Sequence, residues 1–461
     1  MLDKQIAQKV LTAALSTGGD FAEIFLEDNK KHHLQMKGGD VETAQRARIH
    51  GAGIRVFYHF DSVYVYTNDT SYEGLLQCAK RAAAAIVNKE KNILQSDSLM
   101  TLPFETLHPI LLYPETIEGK RKVEKMRATH SAAMETKEIS QVIVNYLDSR
   151  QDICVANSKG LYVTDTRVRT RLVCSAVASN EKENQTGFAD KGSMMGFEMF
   201  DDIADPQQIG REAARIAKEM LYAPDCPAGV MPVVIDNGFG GVIFHEACGH
   251  SLEATTVAHG LSEFSGKLGQ KIAADCVTAI DDGTMKNEWG SENIDDEGRP
   301  TQKLTLIENG ILKNYMIDEL NSRRMNMPPT GNGRRESYAY APTSRMHNTY
   351  IAPGKDDEEE MIRTMGEGLY AKKMGGGSVN PTTGEFNFNV SEGYWVKDGK
   401  ILHPVRGASL IGTGSQVLLN IDRVGKNMTM AQGMCGSVSG SIPVNVGQPM
   451  IRVKAITVGG K

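Results

Sequence analysis

No stretch of this 461-residue chain is apolar over the roughly 20 residues that a membrane-spanning helix needs. The start, Met1 to Leu15, lacks the basic region and unbroken apolar core of a secretory leader. It reads as an amphipathic helix carrying Asp3, Lys4, Gln5 and Lys9, so a cytosolic location is the expectation. Basic excess is missing too. Fifty-one basic residues face 57 acidic ones, for a formal charge of -6, which speaks against a nucleic-acid partner. The densest basic stretch, Lys120 to Arg127, is interleaved with Glu124 and apolar residues and reads as the wet face of a helix. Cysteine is sparse: seven residues, an odd number scattered from Cys78 to Cys435, cannot form a disulfide framework in a chain this long. Internal repeats and low-complexity runs are lacking as well.

What is present is an ordinary globular composition with two patterns in series. The first half alternates helical and strand-like segments. Ile6, Val10, Leu11, Ala14 and Leu15 recur at helical spacing, and further helices fit Tyr72 to about Asn92, Glu115 to about Thr136, and a segment opened by Asp205. Between them lie strand-like runs at 22–26, 33–36, 54–58, 63–66, 142–146, 152–156 and 161–178. Pro224, Pro227 and Pro232 break the pattern, which places a domain boundary near residue 225. The second half is richer in hairpins, such as 303–307 with 312–317 across Asn309-Gly310, and 394–396 with 401–403 across Asp398-Gly399. A helix is expected over about 356–373, its opening acids complementing the helix dipole. The fold class expected is α+β: an α+β domain over 1–225, then a mostly antiparallel β domain over 226–461 that carries one special helix.

That helix contains Gly241-Val-Ile-Phe-His245-Glu246-Ala-Cys-Gly-His250-Ser-Leu-Glu253. Two histidines with a glutamate after the first resemble the helix of zinc peptidases, where the rings hold the metal and the carboxylate takes a proton from bound water. The usual spacing there is four residues; here it is five. On a regular helix five steps turn the second ring by about 140° from the first. A shared ion therefore demands a one-residue π-bulge, with Gly249 as its cheapest location. A third ligand could come from Cys248, Glu253 or His259 nearby, or from Cys276, His347, His403 or Cys435 farther off. Glu253 lies three residues after His250, and Cys435 sits in a glycine-dense turn; spacing does not choose between them.

Several blocks in order, His245-Glu-Ala-Cys-Gly-His250, Asp281-Asp-Gly-Thr284, Asn293-Ile-Asp-Asp-Glu-Gly298, Gly331-Asn-Gly-Arg-Arg-Glu-Ser-Tyr338, Arg345-Met-His-Asn-Thr-Tyr350 and Gly433-Met-Cys-Gly436, resemble the TldD branch of the TldD/PmbA peptidase family. The resemblance implies a zinc-dependent endo- or oligopeptidase acting on unfolded or extended peptides. One Zn2+ would be held by His245, His250 and Cys435, with Glu246 as general base. It also implies a substrate lying as an added strand, in a cleft closed by homodimer formation or by pairing with a sister subunit. Tyr338, Arg345 and Asn348, in the dense polar blocks, are the expected substrate-side donors. Two rival readings remain: a non-catalytic, chaperone-like peptide-binding subunit, and a metal-dependent amidase acting on non-peptide substrates. Gly412-Thr-Gly414 and Gly331-Asn-Gly333 are only fragments of a dinucleotide fingerprint. Met374-Gly-Gly-Gly377 lacks the ending of a phosphate loop and is expected to be a loop over the cleft.

Overall fold

The computed structural model describes residues 2–86, 98–380 and 383–460. The first half is built on a seven-stranded sheet whose four longest strands, Phe21–Lys37, Asp40–Tyr58, Ile139–Asn157 and Leu161–Ser179, run 17 to 19 residues each. At about 3.4 Å per residue each reaches roughly 60 Å. The paired short runs expected from sequence merge into these strands: 22–26 and 33–36 are the two ends of one, and 142–146 and 152–156 of another. Their polar middles hide the continuity. The strand Asn184–Ser193, which pairs with Leu161–Ser179, has no apolar alternation to announce it.

Side chains alternate across this sheet, and its two faces have different partners. Even-numbered positions such as Ala22, Ile24, Val144, Tyr146, Leu172 and Cys174 are buried under helices. These are Lys4–Ala14, Tyr72–Ala84, Gly119–Met134 and Pro206–Tyr222. The continuation of the second helix toward Asn92 lies outside the described residues. The basic stretch is not wholly wet: Lys122 is 5% exposed, and its Nζ donates to Asp148 at 2.6 Å.

Odd-numbered positions face the second half of the chain. Phe25, Ile153, Val155 and Val163 pack with Ile294. Around them Glu23, Arg55 and Arg167 make buried ion pairs with Arg335, Glu297 and Asp296. Arg55 bridges the halves, 3.0 Å from Glu23 and 2.7 Å from Glu297.

From residue 229 onward two further sheets form. Strands Gly229–Ile235, Gly368–Val379, Glu385–Lys397, Ser409–Thr413 and Ile451–Gly459 close into a ring, because the second of them pairs with both the first and the third. A six-stranded sheet runs Ile311–Leu312, Lys303–Glu308, Ala279–Asp282, Asn348–Ile351, Gly440–Gln448, Thr429–Ser437. The last of these is an edge. The helix expected over 356–373 is only Glu358–Arg363, started by Asp357 and followed by a strand from Gly368. Met374 to Gly377 belongs to that strand and is not a loop: a Cβ at Gly377 would sit 2.2 Å from the Asn387 carbonyl of the neighbouring strand. Among the described residues no helix is long and apolar enough to cross a membrane.

Deleting the guanidinium of Arg55 leaves buried Glu297 without its cation and Glu23 with Arg335 alone, which costs roughly 3–5 kcal/mol. Arg55→Ala is expected to lower the urea midpoint of unfolding clearly. Arg48→Ala, which removes only an exposed partner of Asp28, should leave it where it was.

Candidate metal centre

The strand Gly229–Ile235 leads directly into a helical segment that changes pitch three times. A 3-10 turn, Gly238–Gly241, gives way to one α-helical turn, Val242–Phe244, then to a π-helical turn, His245–Gly249, and to a final 3-10 turn, His250–Leu252. Val242, Ile243, Phe244, Ala247, Cys248 and Leu252 anchor it in the core of the carboxy-terminal half. Its start presses on the six-stranded sheet, where a Cβ on Gly241 would come within 2.5 Å of the Gly447 backbone.

The π turn is closed by the His250 N–H donating to the His245 carbonyl, five residues back. This wider turn absorbs the extra residue between the rings, whose centroids lie 5.3 Å apart. Gly249 is needed there for space rather than for an unusual backbone angle. Its φ of -57° suits any residue, but a Cβ would meet the Met346 sulfur at 2.3 Å.

Cys435 reaches the rings from the edge strand Thr429–Ser437. Its Sγ is 3.2 Å from His250 Nε2, and one ligand atom from each of His245, His250 and Cys435 falls within 4.8 Å of the others. Ligands at 2.0–2.3 Å around a tetrahedral ion stand roughly 3.5 Å apart, so the three side chains are near that arrangement. Each ring is fixed from behind. His245 Nδ1 shares a 2.8 Å hydrogen bond with Thr349 Oγ1, and His250 Nδ1 shares one of 3.0 Å with Glu253 Oε2. That leaves His245 Nε2 buried without a hydrogen-bond partner, the state of a nitrogen placed to bind a metal. Burial alone would raise the Cys435 thiol, yet His245 and then His250 pull it down to about 3. Burial disfavours charge on His250, but Glu253 and the Cys435 sulfur more than offset it and push its pKa up.

Glu246 stands at the open side, its side chain 29% exposed and its Oε2 3.6 Å from His250 Nε2. Of the expected substrate-side donors, Arg345 and Asn348 are placed otherwise. Both are fully buried and donate within the protein: Arg345 to Ser439 Oγ, the Gly440 carbonyl and the Cys435 carbonyl, Asn348 to the Asp282 carbonyl and Ser291 Oγ. Both lie beneath the surface, so neither side chain is presented to a substrate. Arg345 is instead a strut beneath the centre, with its Nε 3.9 Å from Glu253 and its Nη2 on the backbone of Cys435. Tyr338 lies against the long sheet, its ring edge-on to Tyr66 and its N–H donating to Glu27. Glu253 was legible from its three-residue offset to His250, but as a ligand, not as the carboxylate that orients the ring. Thr349 gives no signal in sequence, because its role comes from strand pairing.

Comparison with known proteins agrees along the chain. Family profiles described as PmbA/TldA metallopeptidase domain 1, central domain and C-terminal domain match residues 22–86, 112–221 and 228–460. A Buchnera aphidicola protein named metalloprotease TldD homolog is 36% identical over 96% of this chain and 93% of its own length. A Saccharolobus solfataricus protein named zinc metalloprotease TldD homolog is 33% identical over 56% of this chain and 58% of its own. The structure of TldE from Thermococcus kodakarensis superposes with a TM-score of 0.77 at 17% identity, covering 99% of this chain and all of that one. The chain belongs to the TldD/PmbA metallopeptidase family, in its TldD branch.

Proposed function

We propose that this chain is a zinc-dependent peptidase that hydrolyses extended or unfolded peptides at the centre formed by His245, His250 and Cys435. The observation that carries the reading is the buried, unpartnered Nε2 of His245 beside the depressed thiol of Cys435. Two imidazoles and a thiol converging on one point match the donor set of zinc, which displaces their protons on binding. Bound there, zinc supplies an activated water and polarises the scissile carbonyl.

The residues of the chain do the rest. Glu246, half open to solvent and beside His250, accepts the proton of the attacking water and returns it to the departing amine. Thr349 and Glu253 hold the two rings in register, so no reorientation is needed as charge develops. The strand Thr429–Ser437 lies at a sheet edge, and beyond the Gly433 and Cys435 carbonyls, which Trp289 and Arg345 already engage, its outward backbone groups would pair with a peptide added as a further strand, which selects extended chains over folded ones. In this reading the active assembly is a dimer, with a second copy or with a sister subunit of the family.

Metal analysis of the purified protein is expected to give about one zinc per chain. Glu246→Gln should keep that zinc while peptide hydrolysis falls by about 10²–10⁴-fold; equal hydrolysis by the two proteins would defeat the assignment. Glu253→Ala, which frees the back of His250, should weaken zinc binding by about 10–100-fold in a chelator competition. Cys435 is the odd thiol of the chain. Burial raises Cys78, Cys154, Cys174, Cys226, Cys248 and Cys276, whereas Cys435 stays ionised down to about pH 3. In metal-stripped protein at pH 6, iodoacetamide should therefore label Cys435 first, as read by peptide mass spectrometry, and added zinc should protect it.

A further inference from the structure

Toward one end of the long sheet its odd-numbered face and the carboxy-terminal half stand apart, leaving a cavity of about 430 Å³. Leu147, Trp289, Met434, Ile442 and Pro443 give it apolar walls, and Arg169 lies in its floor. The cavity adjoins the metal centre through the edge strand. Met434 is the neighbour of Cys435, and the Trp289 indole N–H donates to the Gly433 carbonyl at 3.0 Å.

The charges around Arg169 do not cancel. Arg167, Arg169 and Arg334 all converge on one carboxylate, Glu292, at 3.3, 3.2 and 3.0 Å. Arg167 has Asp296 as a second partner at 2.7 Å, but Arg169 and Arg334 share Glu292 alone. The remaining hydrogen bonds of Arg169 go to the carbonyls of Trp289 and Ser291, which carry no charge. Other carboxylates lining the cavity are committed: Asp148 to His32 and Lys122, and Glu336 to the Ser441 N–H. Arg171, whose guanidinium lies 5.4 Å above the Trp289 ring, is paired with Asp190. Arg169 is thus a surplus cation, 6% exposed, at the base of an apolar-walled cavity. Burial, together with the like charges of Arg334 and Arg167, draws it down to about 10 in spite of Glu292. A ligand anion would relieve that imbalance, at a depth where a charge-assisted hydrogen bond is little weakened by solvent.

We propose that this cavity is a subsite for a carboxylate of the bound peptide, taken up by Arg169, with Trp289 and Met434 packing on the methylenes behind it. The proposal deepens the peptidase reading, since it supposes a peptide lying along Thr429–Ser437. It makes the protein selective for acidic peptides despite loose backbone recognition.

The two tryptophans of the chain allow a test that does not depend on turnover. In a zinc-loaded Glu246→Gln, Trp395→Phe protein, Trp289 is the sole indole and reports on the cavity by fluorescence. The probes are acetylated, amidated neutral peptides with one Glu walked through each position, their Gln counterparts, and one Gln peptide with a free carboxy terminus. The expected result is one Glu position that binds about tenfold tighter than Gln and shifts Trp289 emission. Tight binding by the free-terminus peptide instead would assign the subsite to the terminal carboxylate. Indifference to Glu, Gln and terminus at every position, with Trp289 unmoved, overturns the proposal. Arg169→Met should level Glu and Gln, and Arg169→Lys should keep part of the difference; should Arg169→Met fail to fold, the peptide series on the parent protein decides. Hydrolysis by the protein with Glu246 intact separates the two readings. Equal cleavage and equal binding of all probes removes the subsite and leaves the peptidase, whereas selective binding without any cleavage does the reverse.

Discussion

A regular helix sets side chains about 100° apart, and His245 and His250 cannot point at one place on it. Everything at the centre follows from the single π turn that removes this conflict. Such a turn sacrifices good hydrogen-bond geometry and persists only where surrounding packing enforces it. Here the enforcement comes from both ends. Gly241 is pressed on Gly447, Gly249 on Met346, and the apolar residues between are locked in the core. The sheet that presses on the helix also carries Thr349 and Cys435. One packing contact therefore sets both the pitch of the helix and the approach of the other two groups.

Around that centre, buried charge holds elements together that have little apolar surface to share. Arg345 reaches from Glu253, behind one imidazole, to the backbone of Cys435, so the orientation of a ring and the position of a thiol depend on one guanidinium. The same device operates on a larger scale where Arg55, Arg167 and Arg335 join the long sheet to the loop 292–297. Buried pairs of this kind add little net stability over apolar contacts, but each is costly to break, which makes one docking geometry much better than its neighbours. A sheet of strands about 60 Å long, charged on one face, has few other means of fixing where the second half sits.

The sequence made some of this legible for reasons that can be named. Helices such as Lys4–Ala14 and Pro206–Tyr222 have strong 3.6-residue periodicity and side-chain caps at Asp3 and Asp205, and they lie close to where those signals put them. Of the long strands, Leu161–Ser179 is legible almost whole as the run 161–178, whereas Phe21–Lys37 and Ile139–Asn157 are legible only at their ends, because middles such as Glu27 to His32 and Asp148 to Gln151 are polar and read as loop until their partners are known. After Arg363 the structure departs from the expected helix. Gly368, Gly375 and Gly377 mark the change to a strand that packs closely against its neighbours at those positions. At the centre, the offset between the histidines announced a distorted helix, since chemistry left no other way for the rings to meet. Arg345 and Asn348 lie beneath the surface, not on the substrate side, and this is illegible for the converse reason. A polar block in sequence does not tell whether its donors face a substrate or the backbone carbonyls beneath it.

The division of labour between the halves has a physical logic. In the proposed mechanism the carboxy-terminal half contains every group that touches the reacting bond, and its edge strand would recognise only backbone. Backbone recognition cannot discriminate among sequences, because every peptide presents the same donors and acceptors. Discrimination has to come from side-chain surroundings, and near Met434 both halves supply them: Trp289, Ile442 and Pro443 from the carboxy-terminal half, Leu147 and Arg169 from the long sheet. That sheet is held at a fixed height by the Arg55 and Arg167 pairs, so the width of the cavity is set by ion pairs remote from the metal centre. Chemistry and selectivity can then vary independently. The helix and hairpin tolerate no change of register, while a substitution on the odd face of the long sheet alters what the cavity accepts without moving a ligand.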